Sequence, residues 1–178
     1  MNFQSLAIAL TVGISSINVL SAPSMAQISS SDYQFFCNRG YDKKTKGYFP
    51  TTFVRYDNHK YALILWKKHM PGITPQQRCN EVSQRFQKAY KNGSLNIITN
   101  GIMNGQPVIC TAKEFQGDCA DLLVTLKPNE DSLTVLNQLK DSLSGRGVGA
   151  TPQSSGPRQV YIQIDLENAL RNAPIQDK

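Results

Sequence analysis

Two histidines and one tryptophan are all that 178 residues contain of those types, and the first 31 positions hold no ionisable side chain. The histidine shortage bears directly on chemistry. His59 and His69 stand ten residues apart with no Asp, Glu or Cys cluster at ligand spacing, so no metal site is expected. Gly145, Gly147 and Gly149 form no P-loop and follow no predicted strand, which removes the phosphate-cradle class of cofactor site. No Cys-x-x-Cys occurs among Cys37, Cys79, Cys110 and Cys119, and no cofactor is implied. No assignable base stands beside a nucleophile, so no catalytic residue is named.

Long apolar runs are also missing. The stretch from Leu6 to Leu20 is interrupted by Gly13, Ser15, Ser16 and Asn18, short of the roughly 20 predominantly apolar residues of a spanning helix. A short apolar core before Ser24-Met25-Ala26 is instead what a signal peptidase reads, although Met1-Asn2-Phe3-Gln4-Ser5 has no Lys or Arg. Residues 1–26 are therefore expected to be a signal peptide, with mature protein from Gln27, in the periplasm or thylakoid lumen. Export makes the four cysteines read as two disulfides. Three pairings are open. Sequence proximity across one turn favours Cys110 with Cys119, which leaves Cys37 with Cys79.

What is present is an orderly succession of elements. Tyr33, Phe35 and Cys37 share one side of a strand, and Thr52–Tyr56 and Tyr61–Trp66 read as two more, joined by Asp57-Asn58-His59-Lys60. Between the first two lies a polar, basic loop, Asp42-Lys43-Lys44-Thr45-Lys46-Gly47. Thr74 as N-cap, Pro75 at the first helical position, Gln77 closing a capping box and Asn92-Gly93 as a stop predict a helix over about 75–92. Its Cys79, Val82, Phe86 and Ala89 form one inward stripe; Arg78, Glu81, Arg85, Lys88 and Lys91 lie away from it.

Asn104-Gly105 predicts a tight hairpin between Leu95–Met103 and Gln106–Thr111, and Leu122–Leu126 reads as a central strand. A second helix opens at Pro128-Asn129-Glu130-Asp131, carries Leu133, Leu136, Leu139 and Leu143 on one face, and ends at Ser144-Gly145. This pattern argues for an α+β domain over residues 27–143: a mainly antiparallel sheet with two helices packed on it, stapled by two disulfides. Residues 144–159 read as a flexible Gly/Ser/Pro linker. In the segment 160–178, Val160, Ile162, Ile164 and Leu166 alternate with polar residues as in a strand, which either docks on its own sheet or adds to a partner's.

The run from Thr74 to Phe86, then Asn92-Gly93, Ile98-Thr99-Asn100-Gly101, Asn104–Cys110 and Cys119 before Leu122–Leu126, resembles the circadian oscillating protein domain of cyanobacteria. Phe35-Phe36-Cys37 and Ile64-Leu65-Trp66 extend the likeness, which covers about Phe35 to Leu143. The resemblance implies an exported, peripherally membrane-associated protein whose abundance cycles with the day and for which no enzymatic activity is established. It marks the four cysteines and the Arg78-Cys79 pair as signature positions.

The net charge of +6 is unevenly placed. Residues 27–91 hold 12 Lys+Arg and 4 Asp+Glu, a net of +8, whereas residues 92–178 hold 7 and 9. Lys43, Lys44 and Lys46 on the loop, Lys67 and Lys68 at a strand end, and Arg78, Arg85 and Lys88 on the first helix are candidates for one patch facing an anionic membrane surface or a membrane-associated protein. Nucleic acid, the other usual reader of such a patch, is not expected in an exported chain. Trp66, Tyr61, Tyr56 and Phe53 are expected in the core rather than in a partner groove. The rival function is an extracytoplasmic enzyme, either a hydrolase or a redox protein using a labile disulfide near Gln116-Gly117-Asp118-Cys119.

Overall fold

A computed structural model describes residues 32–144, 159–171 and 173–176. The expected leader and most of the expected linker lie outside the described residues. The elements are β1 (Gln34–Asp42), β2 (Gly47–Tyr56), β3 (His59–Leu65), α1 (Pro75–Lys91), β4 (Ile97–Met103), β5 (Gln106–Ala112), β6 (Cys119–Thr125), α2 (Ser132–Ser144), β7 (Tyr161–Gln163) and α3 (Leu166–Arg171). The class is α+β and all strand pairing is antiparallel, as expected. The strands form two sheets rather than one, ordered β1-β2-β3 and β6-β5-β4-β7.

Local chemistry accounts for most boundaries. The Thr74 hydroxyl accepts from the Gln77 N–H while the Gln77 side chain accepts from the Thr74 N–H, so the capping box starts α1 where anticipated. Asn92 caps its end, and Gly93, at φ 69°, turns the chain out. Asn104 and Gly105, at φ 51° and 73°, make the hairpin turn between β4 and β5. Asp131 accepts from Leu133 N–H and Thr134 N–H and so opens α2.

Two segments differ from the sequence-based expectation. The polar stretch 42–47 is the tight turn of one long hairpin, because the Asp42 carboxylate gathers the Lys44 N–H, Thr45 N–H and Thr45 hydroxyl. The strands on either side run on to pair Tyr41 with Tyr48. The C-terminal alternation is a strand only over Tyr161–Gln163; Asp165 then caps α3 through the Asn168 N–H. Of the two outcomes left open for this strand, β7 docks on this chain's own sheet, against β4.

α1 holds the two sheets together. It packs on β1 and β2 and also touches β6, burying Cys79, Val82, Phe86 and Ala89. The cluster continues through Trp66, Ile98, Ile109, Leu123, Leu136 and Leu170, so both sheets, α2 and α3 share one core. The Cys37–Cys79 disulfide ties β1 to α1, and Cys110–Cys119 ties β5 to β6.

Candidate functional site

The basic residues singled out from the sequence fall into three places. The largest group sits at the open end of the first sheet. Lys43, Lys44 and Lys46 are exposed on the β1–β2 turn. Lys67, just past β3, reaches across to bond Asp42 in that turn and lies over the Phe49 ring at 5.2 Å. Lys67 and the turn hydroxyl of Thr45 hold the Asp42 carboxyl well below the usual carboxylate range. Lys68 follows it, exposed.

The same hairpin carries a feature absent from the expected patch. Tyr41 and Tyr48 pair across the strands with ring centroids 5.1 Å apart, and remain 38% and 59% exposed. The Arg39 guanidinium covers Tyr48 at 5.2 Å. Cross-strand register brings these three residues together, which no local spacing announces.

On α1, Arg85 pairs with Glu81 at 3.2 Å, and Lys88 lines a shallow groove with Phe36 and Lys91. Arg78 is apart from both groups. Its guanidinium lies 4.5 Å from the centre of the Trp66 ring and Nη2 donates to the Thr125 carbonyl at 3.1 Å. Burial lowers its pKa, against the opposing pull of Glu130. It lines a groove between β3 and α2 together with Lys67 and Lys68.

The aromatic residues are mostly core, as anticipated. Trp66 and Tyr61 are buried, and Trp66 Nε1 donates to the Thr52 hydroxyl at 3.0 Å. Phe53 is buried by a different route: it stacks on Phe36 at 5.7 Å, with Lys60 Nζ 5.8 Å from its ring centre. Among the described residues there is no free cysteine and no cluster of three His, Cys, Asp or Glu side chains able to hold a metal ion. Among them, too, no helix is long and apolar enough to cross a membrane.

The model of one protein family, Circadian oscillating protein COP23, matches residues 34–171. The chain belongs to that family. The matched span opens on the first residue of β1 and closes on the last of α3, so the COP23 unit comprises both sheets, all three helices and both disulfides. It thus reaches past the Leu143 limit of the motif-bearing region and takes in β7 and α3. No curated protein and no solved structure matches the chain.

Proposed function

We propose that this COP23-family chain is an exported, non-enzymatic protein that lies against the periplasmic or lumenal side of a membrane, held there by the basic end of its first sheet. The β1–β2 hairpin is the observation that carries this reading. It combines three exposed lysines, Lys43, Lys44 and Lys46, with the exposed pair Tyr41 and Tyr48. Lysines near an anionic leaflet contribute about 1 kcal/mol each at low salt. Tyrosines favour the headgroup layer because an apolar ring and a polar hydroxyl suit its two environments. Lys67 is bonded to Asp42 at the same end and Lys68 follows it, whereas Arg85 and Lys88 lie on α1.

The test is flotation of the exported protein with neutral and anionic vesicles across a salt series. Binding to anionic vesicles that fades with salt, and that falls when Lys43, Lys44 and Lys46 are reversed to Glu, is the expected result. Absence of binding to anionic vesicles at low salt would sink direct lipid contact and leave a membrane-associated protein as the target.

A further inference from the structure

β1 is the longest edge strand in either sheet. The outer edge of β3 is met by this chain's own C-terminal segment, through the Tyr61–Ile175 bridge and the Gln176 N–H on the Lys60 carbonyl. On β1 the hydrogen bonds show which groups face outward. Phe35 N–H donates to Gln87 Oε1 at 2.7 Å and Arg39 N–H to Asn38 Oδ1 at 2.7 Å, while Pro50, opposite Arg39, has no N–H to give. Phe35, Cys37, Arg39 and Tyr41 therefore form the non-hydrogen-bonded pairs with β2, and their N–H and C=O groups point to the open edge. Gln87 and Asn38 blunt two of those four donors. The N–H groups of Cys37 and Tyr41 have no acceptor among the described residues.

α1 runs beside the start of this edge and makes it one wall of a groove. Asn80, Gln84, Gln87, Lys88 and Lys91 stand opposite Phe35, Phe36 and Cys37, on a helical stripe about 16 Å long. The Cys37–Cys79 disulfide holds strand and helix at a fixed separation, so the opening exists before anything enters it.

Charge selects the occupant. Lys88 and Lys91 are exposed, with no carboxylate within ion-pair reach among the described residues, and exposed Arg39 stands further along the same edge. The carboxylates of β1, α1 and the residue before Tyr33 are engaged: Asp42 by Lys67, Glu81 by Arg85, and Asp32 by the Tyr90 hydroxyl. A second copy paired through the same edge would set two such basic rims against each other, at a cost in repulsion.

We propose that β1 accepts an added antiparallel strand from an acidic, extended segment of a protein partner, running from Tyr41 along the edge into the groove beside Lys88. In such a pair the residues opposite Cys37 and Tyr41 turn their N–H groups to β1 and their side chains to the α1 side. One set of alternate residues thus supplies both the hydrogen bonds and the acid groups, while the intervening set lies beside Phe36 on the other face. This inference does not rest on the membrane reading, because Lys43, Lys44 and Lys46 take no part in it.

The probe is a pool of end-capped seven-residue peptides with glutamate at every second position and Val, Ile, Thr or Phe between. With the exported protein it is expected to bind saturably below about 1 mM and to slow exchange of the Cys37 and Tyr41 amide protons. The same pool with lysine for glutamate should bind about tenfold or more weakly, and so should the glutamate pool to Lys88→Glu with Lys91→Glu. N-methylation at the glutamates should abolish binding, and at the intervening residues should leave it. Arg39→Pro, admissible because that N–H faces out of the sheet, should abolish binding, whereas Arg39→Gln should weaken it only several-fold. Unchanged exchange of both amides at about 1 mM, equal binding of the lysine pool, or indifference to which residues are N-methylated would overturn the assignment. Dimerisation of the protein alone that Arg39→Pro removes would give the edge to a second copy and overturn it equally.

Discussion

Arg78 and Trp66 form a stacked pair, guanidinium over indole at 4.5 Å, at the place where α1 meets the ends of both sheets. The arginine also closes an open edge. Leu126 N–H donates to Pro107, so the neighbouring Thr125 turns its carbonyl away from β5, and Arg78 satisfies it there. One side chain on a helix thereby joins β6 to the indole that ends β3.

Replacing Arg78 by Met keeps much of the packing and removes both polar contacts. A cation–π contact at a partly desolvated site and a charged-donor hydrogen bond together suggest a loss of about 1 to 3 kcal/mol in urea unfolding. A change smaller than a few tenths would show that the pair is placed by its surroundings and stabilises nothing.

Gly40 meets a steric limit from the neighbouring strand. An added Cβ would stand 2.5 Å from Thr51 Oγ1 and 3.1 Å from the Phe53 ring, so Gly40→Ala is expected to lower stability by about 1 to 3 kcal/mol. Adding Thr51→Ala to it should recover part of that loss. If the double variant is no better than the sum of the two single changes, the contact with Thr51 Oγ1 is not the cause.

The two disulfides should differ in worth because they close loops of different length. On chain-entropy grounds Cys37→Ala with Cys79→Ala is expected to cost about 4 kcal/mol, and Cys110→Ala with Cys119→Ala about 3 kcal/mol, for separations of 42 and 9 residues. Thermal unfolding of the two double variants gives the order. The reverse order would mean that packing around Cys110 outweighs loop length.

Alkaline stability should carry the signature of Tyr33. Burial, then the nearby Tyr56 hydroxyl, push its pKa from 10.0 up to about 12. The folded state therefore holds that proton more tightly than the unfolded chain. Its contribution is complete below pH 10 and is lost as pH rises towards 12. Tyr33→Phe should flatten the fall in stability across that window, as followed by denaturant midpoints. An unaltered alkaline limb would show that Tyr33 ionises alike in both states.

The sequence was most informative where the deciding interaction lies within a few residues. Thr74, Pro75 and Gln77 announce the start of α1, Asn104-Gly105 the β4–β5 turn, and the inward stripe of α1 the burial of Cys79. Asp42 and Asp165 were equally local signals, yet basic neighbours made the first resemble loop and apolar alternation made the second resemble strand. Arg78 was legible as a signature position, and helical spacing put it on the polar face, where its contacts with Trp66 and Thr125 are invisible.

By itself, then, the sequence determined the antiparallel α+β character, the order of strands and helices to Leu143, the caps of the first helix and the favoured cysteine pairing. Only the tertiary structure decided that the strands part into two sheets, that β7 returns to β4, that Tyr41 meets Tyr48, and that a groove with a partly buried arginine runs between β3 and α2. The division follows from range. Caps, turns and helical stripes are settled by backbone groups a few positions away. Which sheet edges pair, and which stay apart around a bridging helix, depends on contacts between residues tens of positions distant, whose energies no local pattern encodes.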